Sequence, residues 1–291
     1  MWRLNILDKN KETEYYDLLF SKVKAKRDAI SDVDVRNYLT DNRLKKILLA
    51  KPNELYNVWK PKLERKFNGK ENTAEQIFDY KSFISNDKDI SYKIAKLIGV
   101  NTCVYCNRQY IFTVDENENH IVRPDFDHYL PHSVYPFFAL SLYNLIPSCP
   151  VCNRTLKGTK TLDESMNPYQ TKKEDYFTFT YHINEKGFPA SVQIKDRKKL
   201  DKKAEQLLDV FKIQEIYNEH TDLELTELYT FATKYSNTYL QNVLSQTATN
   251  LKLSQEEAYR ILFGTELLAD KNNNRPLSKF KRDILKELKV I

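Results

Sequence analysis

Glycine is scarce in this sequence, and long apolar runs are missing. Only 5 of the 291 residues are glycine, which argues against long flexible linkers. The first residues carry charges at Arg3, Asp8 and Lys9 and lack the apolar core of a signal peptide. No later stretch approaches the roughly 18 uninterrupted apolar residues that a membrane span requires. We therefore expect a cytoplasmic protein that does not associate with membranes.

Cysteine is also scarce, and its placement is informative. All four cysteines lie in one central stretch, as the pairs Cys103 with Cys106 and Cys149 with Cys152. In a reducing compartment, such cysteines are more often metal ligands or redox thiols than disulfides. Each Cys-x-x-Cys pair presents two thiolates from one turn, so two pairs complete the tetrahedral shell of a structural Zn²⁺ ion. Residues 107–148 form a longer spacer than a compact zinc finger has, so we expect a folded segment between the pairs.

Two alternatives to zinc stay open. A thioredoxin-like redox centre needs one pair rather than two, together with a surrounding βαβ pattern that neither pair has. Unrelated buried cysteines are the other alternative. The sequence favours structural zinc over both.

The composition is that of a globular protein with a modest basic excess. Apolar residues make up 41% and charged residues 30%, unlike a disordered chain. The length allows one large domain or two to three small ones, and we expect a small site module within a larger scaffold. The formal net charge is +6. A basic surface suits a polyanionic substrate, although many cytosolic proteins are this basic.

Helical patterns fill residues 1–98. Tyr15, Leu19 and Val23 recur at helical spacing, and Gly99 is placed to end the last helix of this region. Basic residues cluster along the patterns, either as solvated helix faces or as a rim that contacts phosphates. The clusters are Lys22, Lys24, Lys26 and Arg27; Arg43, Lys45 and Lys46; and Lys60, Lys62, Arg65 and Lys66.

Residues 166–291 begin with a strand pattern and continue with helical ones. Alternating apolar residues over 177–194 predict a β-hairpin, and the basic run 195–203 behind it is a candidate nucleic-acid contact. Aromatic residues at helical spacing, including Tyr235 and Tyr239, are expected in the core. Ser254 with Glu257 has the spacing of a capping box. The predicted fold is therefore α+β and mostly helical, with a site module at residues 99–165.

Between the cysteine pairs, we predict the order strand, loop, strand and helix. A short extended stretch ends at Asp127 and His128, and a proline-containing loop follows. Asn144 opens a short apolar strand, and after the second cysteine pair a helical turn carries Asn153 and Lys157.

This order resembles the HNH endonucleases, also called His-Me finger or ββα-metal nucleases, in their zinc-stabilised form. The resemblance rests on Asp127-His128, on Asn144 and on the segment CPVCNRTLKG that begins at Cys149. It covers about residues 100–160. It implies a central ββα-metal module that is stapled by the structural zinc.

The resemblance also implies a role for each matched residue. His128 would be the general base that takes a proton from the attacking water. Asp127 and Asn153 would ligate one catalytic Mg²⁺ or Mn²⁺ ion, and Asn144 would orient the loop that carries the histidine. Lys157 would lie near the phosphate. Many relatives have histidine where this chain has Asn153, which bears on the preferred metal.

Two more residues near the motif are candidates for substrate binding, each with a plain alternative. Arg108 would contact a phosphate, or would be exposed or ion-paired. His132 would touch the metal or the scissile phosphate, or would be an ordinary loop histidine.

The sequence thus predicts a metal-dependent HNH endonuclease that hydrolyses DNA, with RNA not excluded. A neutral imidazole activates water, and a hard, oxygen-ligated cation neutralises charge on the phosphate. The rival hypothesis is a non-catalytic zinc-stapled module that binds nucleic acid or protein. The segments YLPHSVYP and NLIPSCPVCN are also similar to HNH nucleases of bacterial anti-phage systems of the Septu type, in which an ATPase partner controls cutting. The helical flanks would then serve in docking or in homodimer formation.

Overall fold

The computed structural model describes residues 3–116, 119–170, 176–235 and 237–291. It is an α+β fold in which helices predominate, as expected. The chain divides into two compact units. The N-terminal unit contains Arg3–Val100 and Ile111–Lys172, and the C-terminal unit contains Asn101–Tyr110 and Lys173–Ile291. None of the helices in the described ranges combines the length and the apolar character needed to cross a membrane.

The N-terminal unit begins with a series of helices, which confirms the helical prediction for residues 1–98. Short π-helical turns at Leu55–Trp59 and Lys81–Ser85 interrupt the series. The α-helices are α1 (Lys9–Ala29), α2 (Val33–Tyr38), α3 (Asp41–Leu48), α4 (Pro52–Glu54), α5 (Lys60–Phe67), α6 (Glu71–Ile77) and α7 (Lys88–Ile98).

Capping side chains and apolar faces explain where these helices lie. The Asp8 carboxylate accepts hydrogen bonds from the first free backbone N–H groups of α1. The apolar face of α1 is fully buried at Tyr15, Leu19 and Val23, as their spacing predicts. Gly99 ends α7 in the left-handed conformation with φ +65°, which glycine adopts without steric cost.

Two short antiparallel strand pairs follow in the N-terminal unit. β1 (Val114–Glu116) pairs with β2 (Asn119–Val122), and β3 (Asp125–His128) pairs with β4 (Leu145–Ser148). A helical segment at Val151–Lys157 comes after β4. The predicted order of strand, loop, strand and helix is therefore present.

Two local details of this stretch differ from the prediction. Asn144 does not open the strand, because it is the last residue of a 3₁₀ turn, Leu142–Asn144, directly before β4. The helical segment that carries Asn153 is π-helical rather than α-helical, since the Gly158 N–H donates to the Asn153 carbonyl at 2.8 Å. Such wide turns occur frequently at functional sites.

The C-terminal unit contains the predicted hairpin and the remaining helices. β5 (Phe179–Ile183) and β6 (Pro189–Ile194) pair antiparallel, and the Ser254–Glu257 capping box is present. The helices are α8 (Lys202–Val210), α9 (Ile213–Asn218), α10 (Thr226–Lys234), α11 (Asn237–Asn250), α12 (Gln255–Phe263) and α13 (Ser278–Glu287).

Two aromatic residues that were expected in the core are instead exposed. Tyr235 is 44% exposed and Tyr239 is 52% exposed. The helical pattern is broken between α10 and α11, so the apolar face does not continue through these positions. The two rings stack on each other with centroids 5.2 Å apart, which removes part of their apolar surface from water.

The first cysteine pair groups with the C-terminal unit, whereas the sequence placed it in one module with residues 111–165. The side chain of Asn107 explains this grouping. It donates to the Asn272 and Arg275 carbonyls at 2.8 and 3.1 Å and accepts from the Ser278 N–H at 3.0 Å. The Tyr217 hydroxyl also donates to the carbonyl of Cys106 at 2.7 Å.

Candidate active site and cysteine cluster

The first cysteine pair lies in a tight turn. The Cys103 N–H donates to the Gln109 carbonyl at 2.9 Å, and the Asn107 N–H donates to the Cys103 carbonyl at 2.8 Å. Asn107 has φ +51°, a left-handed conformation that asparagine tolerates better than most residues. The Arg108 N–H then points to the Cys106 sulfur at 3.4 Å, a contact that favours a thiolate at that position.

The second cysteine pair lies where β4 ends and the π-helical segment begins. The Cys152 N–H lies 3.4 Å from the Cys149 sulfur, and the Asn153 N–H donates to the Cys149 carbonyl at 3.0 Å. Both pairs therefore have a backbone N–H directed at a cysteine sulfur.

The four cysteines come together as predicted. Their sulfur atoms all lie within 4.8 Å of one another, and all four residues are buried. A tetrahedral Zn²⁺ ion with Zn–S bonds of about 2.3 Å requires sulfurs about 3.8 Å apart, which this spacing allows. The cluster could hold a structural metal ion such as zinc.

A cavity of about 340 Å³ in the N-terminal unit brings four predicted site residues together. Asp127, His128, His132 and Asn153 all line it. Among the described residues, no second group of three or more His, Cys, Asp or Glu ligand atoms, comparable to the cysteine cluster, occurs at this cavity.

His128 is held in one orientation by a backbone carbonyl. Its Nε2 lies 3.0 Å from the Ala139 carbonyl oxygen, and because a carbonyl only accepts, Nε2 carries the proton and Nδ1 keeps the lone pair. The Tyr80 ring packs edge-on at 4.4 Å, and the His132 ring lies at 4.7 Å. Burial, with a smaller contribution from His132, lowers the pKa of His128 to about 3. The imidazole is therefore neutral at physiological pH, as a general base must be.

Asn144 ties together the two ends of the loop that follows His128. Its side-chain NH₂ donates to the Leu130 and Phe138 carbonyls, each at 3.1 Å, and its side-chain oxygen accepts from the Leu130 N–H at 2.8 Å. Its backbone carbonyl accepts from the Tyr129 N–H at 2.9 Å. The side chain is fully buried and does not line the cavity. These contacts hold the two ends of the loop after His128 together.

Lys157 is not placed to contact a phosphate, which corrects its predicted role. Its side chain is 0% exposed, and its ammonium donates to Asp127 Oδ1 at 3.0 Å and to the His128 carbonyl at 2.8 Å. An ion pair removed from water must have its remaining donors satisfied to be tolerated. Lys157 therefore holds the end of β3 through contacts in the protein interior and does not reach the cavity.

The sequence missed the residues that carry the charge at the cavity wall. Asp125, two positions before Asp127, accepts hydrogen bonds from Arg154 Nε at 2.7 Å and from Arg154 Nη2 at 2.8 Å. This carboxylate raises the pKa of the Arg154 guanidinium. Asn153 also donates to Asp125, weakly, at 3.4 Å. Residues i and i+2 of a strand share a face, so the Asp-x-Asp spacing was the available signal.

Of the two candidates for substrate binding, His132 and Arg108, the first lines the cavity and the second does not. His132 lines the cavity next to His128. Arg108 is not among the residues that line it, and its backbone N–H is directed at the Cys106 sulfur instead.

Comparison with protein families, with curated proteins and with solved structures finds no match for this chain.

Proposed function

We propose that the protein is a metal-dependent endonuclease of the HNH type that hydrolyses phosphodiester bonds in DNA. The observation that carries the proposal is the placement of His128, which lines the cavity and has its Nε2 fixed by the Ala139 carbonyl at 3.0 Å, so that Nδ1 keeps the lone pair. A positioned neutral imidazole can take a proton from water and accelerates hydrolysis by typically about 10²–10⁴-fold. In this proposal Nδ1 is the basic atom.

The hydrolytic site also offers hard oxygen atoms for a divalent cation. Asp127 and Asn153, both in the cavity wall, would hold Mg²⁺ or Mn²⁺, and Asp125 adds a third side chain with oxygen donors. A carboxylate has about four lone-pair positions, so the contact between Asp127 and Lys157 does not exclude a cation. When bound, the ion would supply Lewis acidity and charge neutralisation at the phosphate.

The cysteine cluster has a separate task in this proposal. A Zn²⁺ ion on Cys103, Cys106, Cys149 and Cys152 would stabilise the fold and take no part in hydrolysis. Metal analysis should then find about one zinc per chain. Removing zinc should unfold the surrounding structure, whereas omitting magnesium should stop cleavage and leave the fold unchanged.

The decisive experiment is a plasmid cleavage assay with Mg²⁺ or Mn²⁺. The wild-type protein should nick or cut the plasmid, and the His128→Ala variant should not. His182→Ala is a matched control, because His182 is an exposed residue of β5 in the other unit. This variant should cleave the plasmid like the wild type. Equal cleavage by the wild type and the His128→Ala variant would refute the proposal.

A non-catalytic module that binds nucleic acid or protein is the second candidate. It is favoured by the fact that both carboxylates at the cavity already have cationic partners, Lys157 for Asp127 and Arg154 for Asp125. This candidate predicts that substitutions at Asp127, His128 and Asn153 leave function intact, whereas substitutions at the cysteines abolish it.

The biological setting is a further part of the proposal. The resemblance to nucleases of the Septu type suggests an effector of anti-phage defence that an ATPase partner controls. The isolated protein would then have little activity by itself. Co-purification with an ATPase encoded beside it, followed by the plasmid assay on the complex, tests this setting.

A further inference from the structure

Two adjoining grooves lie on the helical part of the N-terminal unit. One, of about 470 Å³, is lined by Tyr38, Trp59 and basic residues of α3 and α5, and the other, of about 610 Å³, adds residues of α4 and of the π-helical turn Leu55–Trp59. Both grooves share Arg43, Trp59 and Lys62. They form one continuous surface.

The charges of this surface are almost all of one sign. Its cations are Arg43, Lys46, Lys62, Arg65 and Lys66, and its single carboxylate is Glu54. Lys66 pairs with Asp34 outside the grooves. We call the other four cations, Arg43, Lys46, Lys62 and Arg65, the basic face.

The four cations of the basic face lack acidic partners, in contrast to several other basic residues of the described ranges. Within the described residues, none of its four side chains has a carboxylate within salt-bridge distance. Other helical lysines of the same unit are paired, as are two members of the basic run 195–203. The pairs are Lys22–Asp87 at 2.8 Å, Lys24–Asp28 at 2.7 Å, Lys60–Glu164 at 2.6 Å, Lys70–Asp32 at 2.7 Å, Arg197–Asp209 at 2.5 Å and Lys199–Asp196 at 3.2 Å.

Aromatic rings and carbonyls hold the cations of the basic face in position. The Arg43 guanidinium lies 4.5 Å from the centre of the Tyr38 ring and donates to the Tyr38 carbonyl at 2.7 Å. Lys62 Nζ lies 5.6 Å from the centre of the Trp59 ring. Contacts between a cation and a ring are attractive, and a side chain that is already ordered loses less entropy when it binds a ligand.

The basic face is tied to the loop and strands of the candidate active site by contacts within the N-terminal unit. Phe67 of α5 stacks on Phe137 at 5.8 Å, and the Ser141 hydroxyl donates to the Ile47 carbonyl of α3 at 2.8 Å. Asn167 donates to the Tyr56 hydroxyl at 2.7 Å. A ligand held on this face therefore has a fixed position relative to the cavity.

We propose that the basic face binds the sugar-phosphate backbone of the nucleic-acid substrate, away from the bond that is cleaved. The inference takes its ligand from the proposed function. Trp59, the largest side chain in the grooves, is only 8% exposed and so does not offer the exposed aromatic anchor that a protein partner requires at the centre of its interface. Cations that lack carboxylate partners suit phosphates, which supply affinity without reading the base sequence.

The test compares two variants that lose the same charge. In the first, Arg43, Lys46, Lys62 and Arg65 are all replaced by Gln. In the control, four exposed lysines elsewhere are replaced by Gln, and none of the four has a salt bridge within the described residues. The control positions are Lys88, Lys93, Lys186 and Lys234.

Binding is measured by fluorescence anisotropy without added divalent cation, so that it does not depend on cleavage. The probes are a labelled DNA duplex, a single-stranded DNA and a single-stranded RNA, each over a range of salt concentrations. Each phosphate contact contributes about 0.9 to the magnitude of the slope of log K against log salt on duplex DNA. The magnitude of the slope should therefore be smaller by up to about 3.6 in the first variant. Its affinity for the preferred probe should fall by about tenfold or more, and the control should keep both values.

Each outcome has a distinct meaning. Wild-type affinity and slope in the first variant would overturn the inference, as would an equal loss in the control or the absence of binding by the wild type. If the wild type fails to cleave but the first variant loses binding, the nuclease proposal fails while the binding surface stands. If the first variant binds normally and the wild type cleaves, the nuclease proposal stands while the proposed binding surface fails. Thermal unfolding of both variants verifies that neither substitution set disturbs the fold.

Discussion

Replacing Lys157 by Met tests whether this residue supports the site from inside or contacts the substrate. Methionine has a similar length but no charge, so Asp127 would keep its carboxylate and lose its ammonium partner. In the structure, the Lys157 side chain is 0% exposed and that of Asp127 is 3% exposed. Water therefore cannot replace the missing partner without opening the structure around β3.

The expected loss of stability is large. Removing one partner of a buried ion pair costs about 3–5 kcal/mol, because the other charge stays buried and loses that counter-charge. The lost hydrogen bond to the His128 carbonyl, at 2.8 Å, contributes about 1 kcal/mol more. We therefore expect the free energy of unfolding of the N-terminal unit to decrease by about 5 kcal/mol. At about 2–4 °C per kcal/mol for a unit of this size, the melting temperature should fall by roughly 10–20 °C.

Urea unfolding at pH 7, with the m value monitored for changes in compactness, measures the effect. Lys160→Met is the matched control, because the Lys160 side chain is exposed and its ammonium donates to the Leu156 carbonyl, so this substitution should change stability by less than about 0.5 kcal/mol. Adding Asp127→Asn to Lys157→Met removes the remaining buried charge and should restore part of the lost stability. A Lys157→Met variant that is as stable as Lys160→Met but binds DNA weakly would refute the structural role.

Three further predictions concern the residues around the site. Asn144→Ala, which removes three side-chain hydrogen bonds to the loop after His128, should lower the free energy of unfolding by about 3 kcal/mol in urea titrations. A smaller effect than 1 kcal/mol would mean that the loop is held by other contacts. Gly99→Ala places a side chain at φ +65° and should cost about 1 kcal/mol by thermal unfolding. No loss there would argue against the left-handed cap. Because the pKa of His128 is about 3 when folded and about 6.5 when unfolded, the unfolded chain binds the extra proton between these values, so stability falls as pH drops below about 6.5. Between pH 7 and pH 5 this proton binding lowers the free energy of unfolding by about 2 kcal/mol. The His128→Gln variant should lose this part of the difference in stability between urea titrations at the two pH values. An unchanged difference would contradict the burial argument.

Features set by neighbouring residues were predictable from the sequence. The end of α7 depends on Gly99 four residues after Ala95, whose carbonyl it caps. The hairpin of β5 and β6 depends on alternation over a few positions on either side of a turn. In each of these features the residues that determine the structure are close in sequence, so one pattern contains all the information.

The roles of individual residues in the site were less predictable, because they depend on burial and on distant partners. A basic residue after the second cysteine pair is equally compatible with a phosphate contact and with an internal ion pair. Lys157 takes the second role because Asp127, 30 positions earlier, is buried beside it. The grouping of the first cysteine pair likewise depends on hydrogen bonds from Asn107 to residues more than 160 positions later. Periodicity also could not foresee that α10 ends directly before Tyr235, or that Tyr235 and Tyr239 lie at the surface.

The location of each polar side chain determines which substitution can test the metal site. Asp127 both accepts from Lys157 and lines the cavity, so Asp127→Asn would leave the Lys157 charge unpaired and lower stability together with activity. Asn153 is half-buried and lines the same cavity, and its side chain makes a weak hydrogen bond, at 3.4 Å, to Asp125. We therefore expect Asn153→Ala to change the free energy of unfolding by less than about 1 kcal/mol while raising the Mg²⁺ concentration needed for half-maximal cleavage by about tenfold or more. Magnesium titrations of cleavage measure this effect, and an unchanged magnesium requirement in a stable Asn153→Ala variant would exclude Asn153 as a ligand of the catalytic ion.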